Sequence, residues 1–254
     1  MTEGRSKPRA QGPGPGRPGS CCPAPVHKLS DVYLPKHFAA RDQAAVEAFV
    51  DSVGAADLVT FDGTKPVASL IPVIWDRTGG GEHGRLIGHL ALQNPQWRSA
   101  GPDTVGLAIV HGPQAYISPS WYPSTARHGK VVPTWNYVTV HFTGPIIIHR
   151  DAGWLLELVS RLTARHEAGR PSAWHVSDAP RDFIDGQLRA IVGVEMAIAT
   201  VEAKEKLSQN RDAEDRAGAL EGLRREPGPW PAAIAGLMAG AGPGGRPPWN
   251  PPLA

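Results

Sequence analysis

Short apolar runs, each closed by a turn signal, repeat from Asp57 to Ile148, and this rhythm restricts the chain to a largely antiparallel β architecture. Residues 57–61 read as one strand, Asp62-Gly63 as a hairpin turn, and 67–75 as the next strand. The Gly-rich run RTGGGEHG is a connection, because it precedes a strand rather than opening a helix. Residues 85–90, 105–110 and 115–118 follow as strands, with a short helix starting at Asn94. Residues 138–148 form a long strand that Gly144-Pro145 bends, and 191–201 form the last strand. Helical spacing appears in three places. Asp42 caps a helix carrying Val46, Phe49, Val50 and Val53, which Gly54 ends. Asp151 starts another, with Trp154, Leu155, Leu158, Val159 and Leu162 on one face. A third spans about 180–190, with Phe183, Ile184 and Leu188 inward. The two later helices are no helix-turn-helix, because residues 168–179 are too long for its turn. The expected fold is mainly β with flanking helices (α+β), an antiparallel barrel with a helical insertion at about 151–190.

The ends differ from this middle. Residues 1–28 and 224–254 are rich in Pro and Gly and read as disordered tails, although Ala232 to Gly240 has the composition for a turn or two of helix. The formal net charge of +2 gives no strong pull on nucleic acid or an acidic membrane. No apolar run reaches the roughly 20 residues that span a bilayer. The two cysteines, Cys21 and Cys22, are adjacent, which suits a reducing, cytoplasmic setting better than a disulfide framework.

Residues 116–137 (YISPSWYPSTARHGKVVPTWNY) hold two of the eight Trp and three of the four Tyr, with several hydroxyls, an amide, Arg127 and Lys130. Rings to stack on, short polar groups and cations suit a flat, polar, phosphorylated ligand; an aromatic loop packed on a barrel end has the same composition. The ten histidines include no pair with tight ligand spacing beside a Cys or carboxylate, so no metal site is expected. There is no Walker A loop, dinucleotide fingerprint or nucleophile elbow.

Taken together, VYLPKHF at 32–38, GHLALQNPQW at 88–97, SPSWYPSTARHGKVVPTWNY at 118–137, AIVGVEMAI at 190–198 and EKLSQNR at 205–211 resemble the PaiB-type FMN-binding negative transcriptional regulators. The match runs collinearly over about 32–220. It implies a split β-barrel related to the pyridoxamine-phosphate oxidase-like flavoproteins, with FMN in a groove between the subunits of a homodimer. It also implies that translation starts at Val32, which the intact mass of the native protein would check. By the same resemblance His89 and the Gln93-Asn94 turn hold the phosphate, with the help of a helix N-terminus. Ser69 and the backbone through Ile71 face the isoalloxazine or ribityl chain. Ser118, Ser120, Trp121 and Tyr122 line the ring or the dimer seam, and Lys130 supplies the cation. Thr134 and Asn136 share a strand face, and Lys206, Gln209 and Asn210 complete the groove. Leu70, Thr125 and Glu205 depart from the usual His, Lys and Trp. Such a protein acts as a negative transcriptional regulator; an FMN-dependent oxidoreductase acting on a small molecule and a haem-binding barrel, ligated by His89 or His141, are the alternatives. A DNA partner rests on the resemblance alone.

Overall fold

The computed structural model describes Met1 and residues 33–40, 42–100 and 104–240. The expected N-terminal tail, the start at Val32 and the end of the C-terminal tail lie outside these. Seven strands form one sheet in the order β4-β1-β2-β3-β6-β5-β7, and an additional β4–β5 pairing closes it into a barrel. They are β1 (Ala55–Phe61), β2 (Pro66–Asp76), β3 (Arg85–Ala91), β4 (Val105–Ile117), β5 (Thr134–His149), β6 (Ile191–Ala197) and β7 (Thr200–Lys206). All pairings are antiparallel. Alternate residues such as Ile71, Val73 and Trp75 on β2 and Val138, Val140 and Phe142 on β5 point into one core.

The barrel closes through β5. Its first part, Tyr137 to Thr143, pairs with β7, and its last part, Ile146 to His149, pairs with β6. The change of partner falls at Gly144, where an added Cβ would stand 1.9 Å from the Ala197 carbonyl oxygen. Only glycine allows the strands that close, so the predicted bend at Gly144-Pro145 is where one strand serves both halves of the sheet.

Helix α1 (Gln43–Val53) starts at Asp42, whose carboxylate accepts from the Ala44 and Ala45 N–H groups, and ends at Gly54 with φ of 65°. Helix α2 (Pro123–His128) lies inside the aromatic block. Helices α3 (Ala152–Glu167) and α4 (Arg181–Leu188) form the expected insertion. Leu158 and Leu162 of α3 cover Ile87, while Leu155 meets Ile184 and Leu188 of α4. A charge network pins α3 to the sheet. Asp76, only 5 % exposed, accepts from Arg85 Nη2 and Arg161 Nη1, each at 3.0 Å. Arg85 also donates to Glu195 at 3.2 Å, and Glu195 meets His149 Nε2 at 3.1 Å. The His149 ring stacks on Trp154 at 4.1 Å.

Four sequence expectations need correction. The predicted strands at 105–110 and 115–118 are one strand, because a register irregularity between His111 and Gln114 lets the pairing with β5 continue. The predicted strand at 191–201 is two, and EKLSQNR begins inside the second. The Ile198 and Ala199 N–H groups leave the β6 ladder to bond Gly84 and Thr143. Phe183 is 55 % exposed rather than inward. The tail expected at 224–254 contains an ordered helix, α6 (Pro229–Gly240), preceded by α5 (Ala213–Arg225). Ile234, Ala235, Leu237 and Met238 bury themselves in the main core, which outweighs the Pro and Gly flanking them. Among the described residues no helix is long and apolar enough to cross a membrane, and no cluster of three or more His, Cys, Asp or Glu could hold a metal.

Candidate functional site

Eleven of the fourteen candidate residues fall into three groups. The first lies by the middle of β2 and β3. Asn94 Nδ2 donates to Ser69 Oγ at 2.8 Å, and Asn94 Oδ1 accepts from the Gln96 N–H at 3.0 Å. The helix expected to offer free N–H groups is a five-residue 3-10 turn, Pro95–Ser99, and Asn94 already caps it. Gln96, a residue the sequence did not single out, is 2 % exposed and donates to the Leu58 and Val67 carbonyls, which fixes this turn against β1 and β2. Ile71 is 4 % exposed and faces the core, so only its backbone is open to a ligand. Beside it Leu70 is 72 % exposed. His89 stands apart from this group: it pairs with Gly193 on the face covered by the Trp154 ring, whereas Ser69 shares the face of Ile71, and its buried Nδ1 has no hydrogen-bond partner among the described residues. Burial lowers its pKa, so the imidazole is neutral and has one nitrogen to offer.

The second group is the outer end of the β4–β5 ribbon. Ser118 caps a 3-10 turn by accepting from the Ser120 N–H, and the two hydroxyls share a hydrogen bond of 2.7 Å. Tyr116 and Trp135 face each other across the strands with centroids 6.3 Å apart. Trp121 lies flat on α5. A Cβ on Gly222 would sit 2.2 Å from Trp121 Cδ2, and one on Gly218 would sit 2.1 Å from the Trp121 carbonyl oxygen. Gly222→Ala should therefore cost about 1–3 kcal/mol in urea unfolding, because Trp121 must leave its place. Gly236→Ala on α6, with open space around the new methyl, is the control and should cost nothing.

The third group is an inner corner formed by α2, the start of β5 and the end of β7. Tyr122 is 2 % exposed, and its hydroxyl is enclosed near Arg211 and Ser208 without a well-formed hydrogen bond to either. Burial raises the phenol pKa, against the pull of the Arg211 charge. The Arg211 guanidinium stands 4.7 Å over the Tyr122 ring. Asn136 is fully buried and donates to Ser208 Oγ at 3.0 Å and Met238 Sδ at 3.3 Å. Its role is to join β5 to the β7 turn and to α6. Ser208 takes a φ of 60°, the one positive value of a non-glycine residue described. Gln209 is likewise spent on that turn, bonding the Glu205 carbonyl at 2.6 Å and the Leu207 N–H at 2.7 Å. The Lys206 ammonium meets Thr134 Oγ1 and, at 2.6 Å, the Trp135 carbonyl. Burial first, then Lys204 and Arg211, lowers its pKa. Asp215, 2 % exposed, accepts from the Ser124 N–H at 3.1 Å and hydroxyl at 2.7 Å and bolts α2 to α5.

Two further candidates join none of these groups. Lys130 and Asn210 are exposed, and their side chains make no hydrogen bond or ion pair among the described residues. The cation that the corner does hold, Arg211, stands in the EKLSQNR motif; its position two residues after the paired Gln209 was the available signal.

The first group and the other two are far apart within one chain. Ser69 pairs with Leu58, and Leu58 pairs with Ala108. Ala108 and Ile117 are separated by roughly 30 Å along β4 at a strand rise of about 3.3 Å.

Residues 32–200 match a family model described as "Putative FMN-binding domain". The chain is 31% identical over 208 residues to "Protease synthase and sporulation protein PAI 2" of Bacillus subtilis, covering 82% of this chain and 96% of that protein. It is 37% identical over 117 residues to an uncharacterized protein of Saccharomyces cerevisiae, covering 46% of this chain and 69% of the other. Among solved structures it is similar to the FAD and heme binding protein of Mycobacterium smegmatis, at 16% identity and a TM-score of 0.49, over 71% of this chain and 78% of that one. The family match spans more than half of the chain and carries the flavin assignment with it. This chain therefore belongs to the FMN-binding domain family, with a split-barrel fold and FMN as its cofactor.

Proposed function

We propose that two copies of this chain bind FMN between them and act in the cytoplasm as a flavin-responsive negative regulator of transcription. The separation of the candidate groups along β4 carries the two-copy reading. The Ser69 and Asn94 wall of one copy and the Thr134, Lys206 and Arg211 corner of another can face one flavin. One copy alone leaves them beside distant parts of β4.

A sheet face suited to such pairing exists. Leu70, Asp57, Ile109, His141 and Glu202 are neighbours across β2, β1, β4, β5 and β7. The next row holds Ala68, Val59, Leu107, Thr143 and Thr200. Phe61 and Val105 beyond it are 57 % and 46 % exposed. Against a second copy, this largely apolar face would be removed from water. His141 brings to it a buried Nδ1 that has no hydrogen-bond partner among the described residues.

The donor set suits FMN. Lys206 and Arg211 supply positive charge for a phosphate, and Ser69 and Asn94 supply hydrogen-bonding groups for a polar edge. FMN brings its own redox chemistry, and the chain contributes position and electrostatics. A binding role fits the state of the corner's ionisable groups, which are already engaged: Asp215 with Ser124, Lys206 with Thr134, Arg211 over Tyr122.

The purified full chain should be yellow, release FMN on denaturation and sediment as a dimer. A monomer that binds FMN at full affinity would remove the two-copy reading, and a Soret band would replace flavin with haem. Selective, salt-sensitive DNA binding supports regulation. Bleaching of the bound flavin by NAD(P)H, without DNA binding, would instead make this an oxidoreductase.

A further inference from the structure

The aromatic end of the β4–β5 ribbon opens into a pocket of about 480 Å³. Its walls include Gln114, Tyr116, Trp121 and Trp135, together with Glu226 from the end of α5 and Pro231 from α6. Strand alternation places Trp135 on the face opposite Thr134 and Asn136, so this pocket and the basic corner lie on opposite sides of β5. The pocket is also chemically wrong for a phosphate. Glu226 is the one charged residue among its described lining, and that charge is negative.

We propose that this pocket binds an organic cation, an alkylammonium group enclosed by the rings of Tyr116, Trp121 and Trp135 and neutralised by Glu226. Ring faces attract a positive charge through their quadrupole, Trp most strongly, and a quaternary ammonium keeps much of this attraction because its hydration is weak. Tyr116 and Trp135 are 46 % and 51 % exposed. Their edge-to-face contact leaves ring surface open to the pocket, and Trp121 is held in place by its contact with α5. Ser118 and Ser120 satisfy each other and do not compete for the guest. The carboxylate of Glu226 makes no ion pair among the described residues. Glu226 and Pro231 lie beyond residues 32–200, so the acidic wall belongs to this chain's own C-terminal segment and not to the matched family region. The proposal is independent of the flavin reading.

Calorimetric titration of the full chain with choline, and with its neutral isostere 3,3-dimethylbutan-1-ol, tests it. Choline should bind saturably, and the isostere about tenfold more weakly or not at all. Glu226→Gln should weaken choline by about five- to tenfold and leave FMN affinity unchanged. Trp135→Ala should abolish saturation; because Trp135 is half exposed, its melting temperature should stay close to that of the parent. If Trp135→Ala fails to fold, the Glu226→Gln comparison decides alone. Equal binding of choline and its isostere, no effect of Glu226→Gln, no saturation, or displacement of choline by FMN would each overturn the proposal. Loss of FMN binding with choline binding intact would strike only the flavin reading.

Discussion

Asp76→Ala should destabilise the fold by about 3–5 kcal/mol, because it leaves two guanidinium groups facing an empty space at the foot of α3. Asp76 is 5 % exposed and accepts from Arg85, Arg161 and the Thr78 hydroxyl and N–H. Burial by itself would raise its pKa. The Thr78 bonds and the two arginines outweigh burial and hold the carboxyl well below the usual aspartate range. A carboxylate with a depressed folded pKa contributes stability that is complete above its unfolded pKa of about 4 and is lost as pH falls further. Urea unfolding at pH 7 and near pH 3 should therefore show a strong acid-side loss in the parent. In Asp76→Asn that slope should shrink, since the group that titrates has been removed. A variant as stable as the parent at pH 7 would mean that α3 is held by its leucines alone.

Lys206→Ala should lower FMN affinity by roughly 10–100-fold, while Lys130→Ala should leave it unchanged. Burial first, and then the neighbouring Lys204 and Arg211, lowers the Lys206 pKa, so the corner holds its positive charge at a cost. An incoming phosphate offsets that cost, so binding should take up a proton in the alkaline range where Lys206 is partly neutral. Lys206→Arg should retain most of the affinity, and melting temperatures would separate lost binding from lost fold. A strong effect at Lys130 with none at Lys206 would move the phosphate to the exposed end of α2.

The parts of the fold that the sequence made legible have local chemical causes. Asp42 and Gly54 delimit α1 because a carboxylate at one end and a left-handed glycine at the other are themselves the boundaries. The bend at Gly144 was legible because glycine before proline inside a long strand has few other uses. Helix α6 was legible only as a turn or two at 232–240: Pro229, Pro231, Gly236 and Gly240 argue against a longer helix, and contact with the core makes one. The division of residues 191–201 depended on two N–H groups finding partners at Gly84 and Thr143, which no local pattern encodes. Site residues followed the same rule. The motifs pointed to polar positions at Asn136 and Gln209, but whether such a side chain meets a ligand or its own backbone is decided by partners distant in sequence.

The burial of α6 bears on how this protein should be cloned. An expression fragment cut to the family match, residues 32–200, would end at the first residue of β7 and omit α5 and α6. It would uncover Trp121 and leave Asn136 without either of its acceptors, Ser208 and Met238. A fragment that keeps α5 and α6 against the core runs to Gly240, about forty residues past the family match.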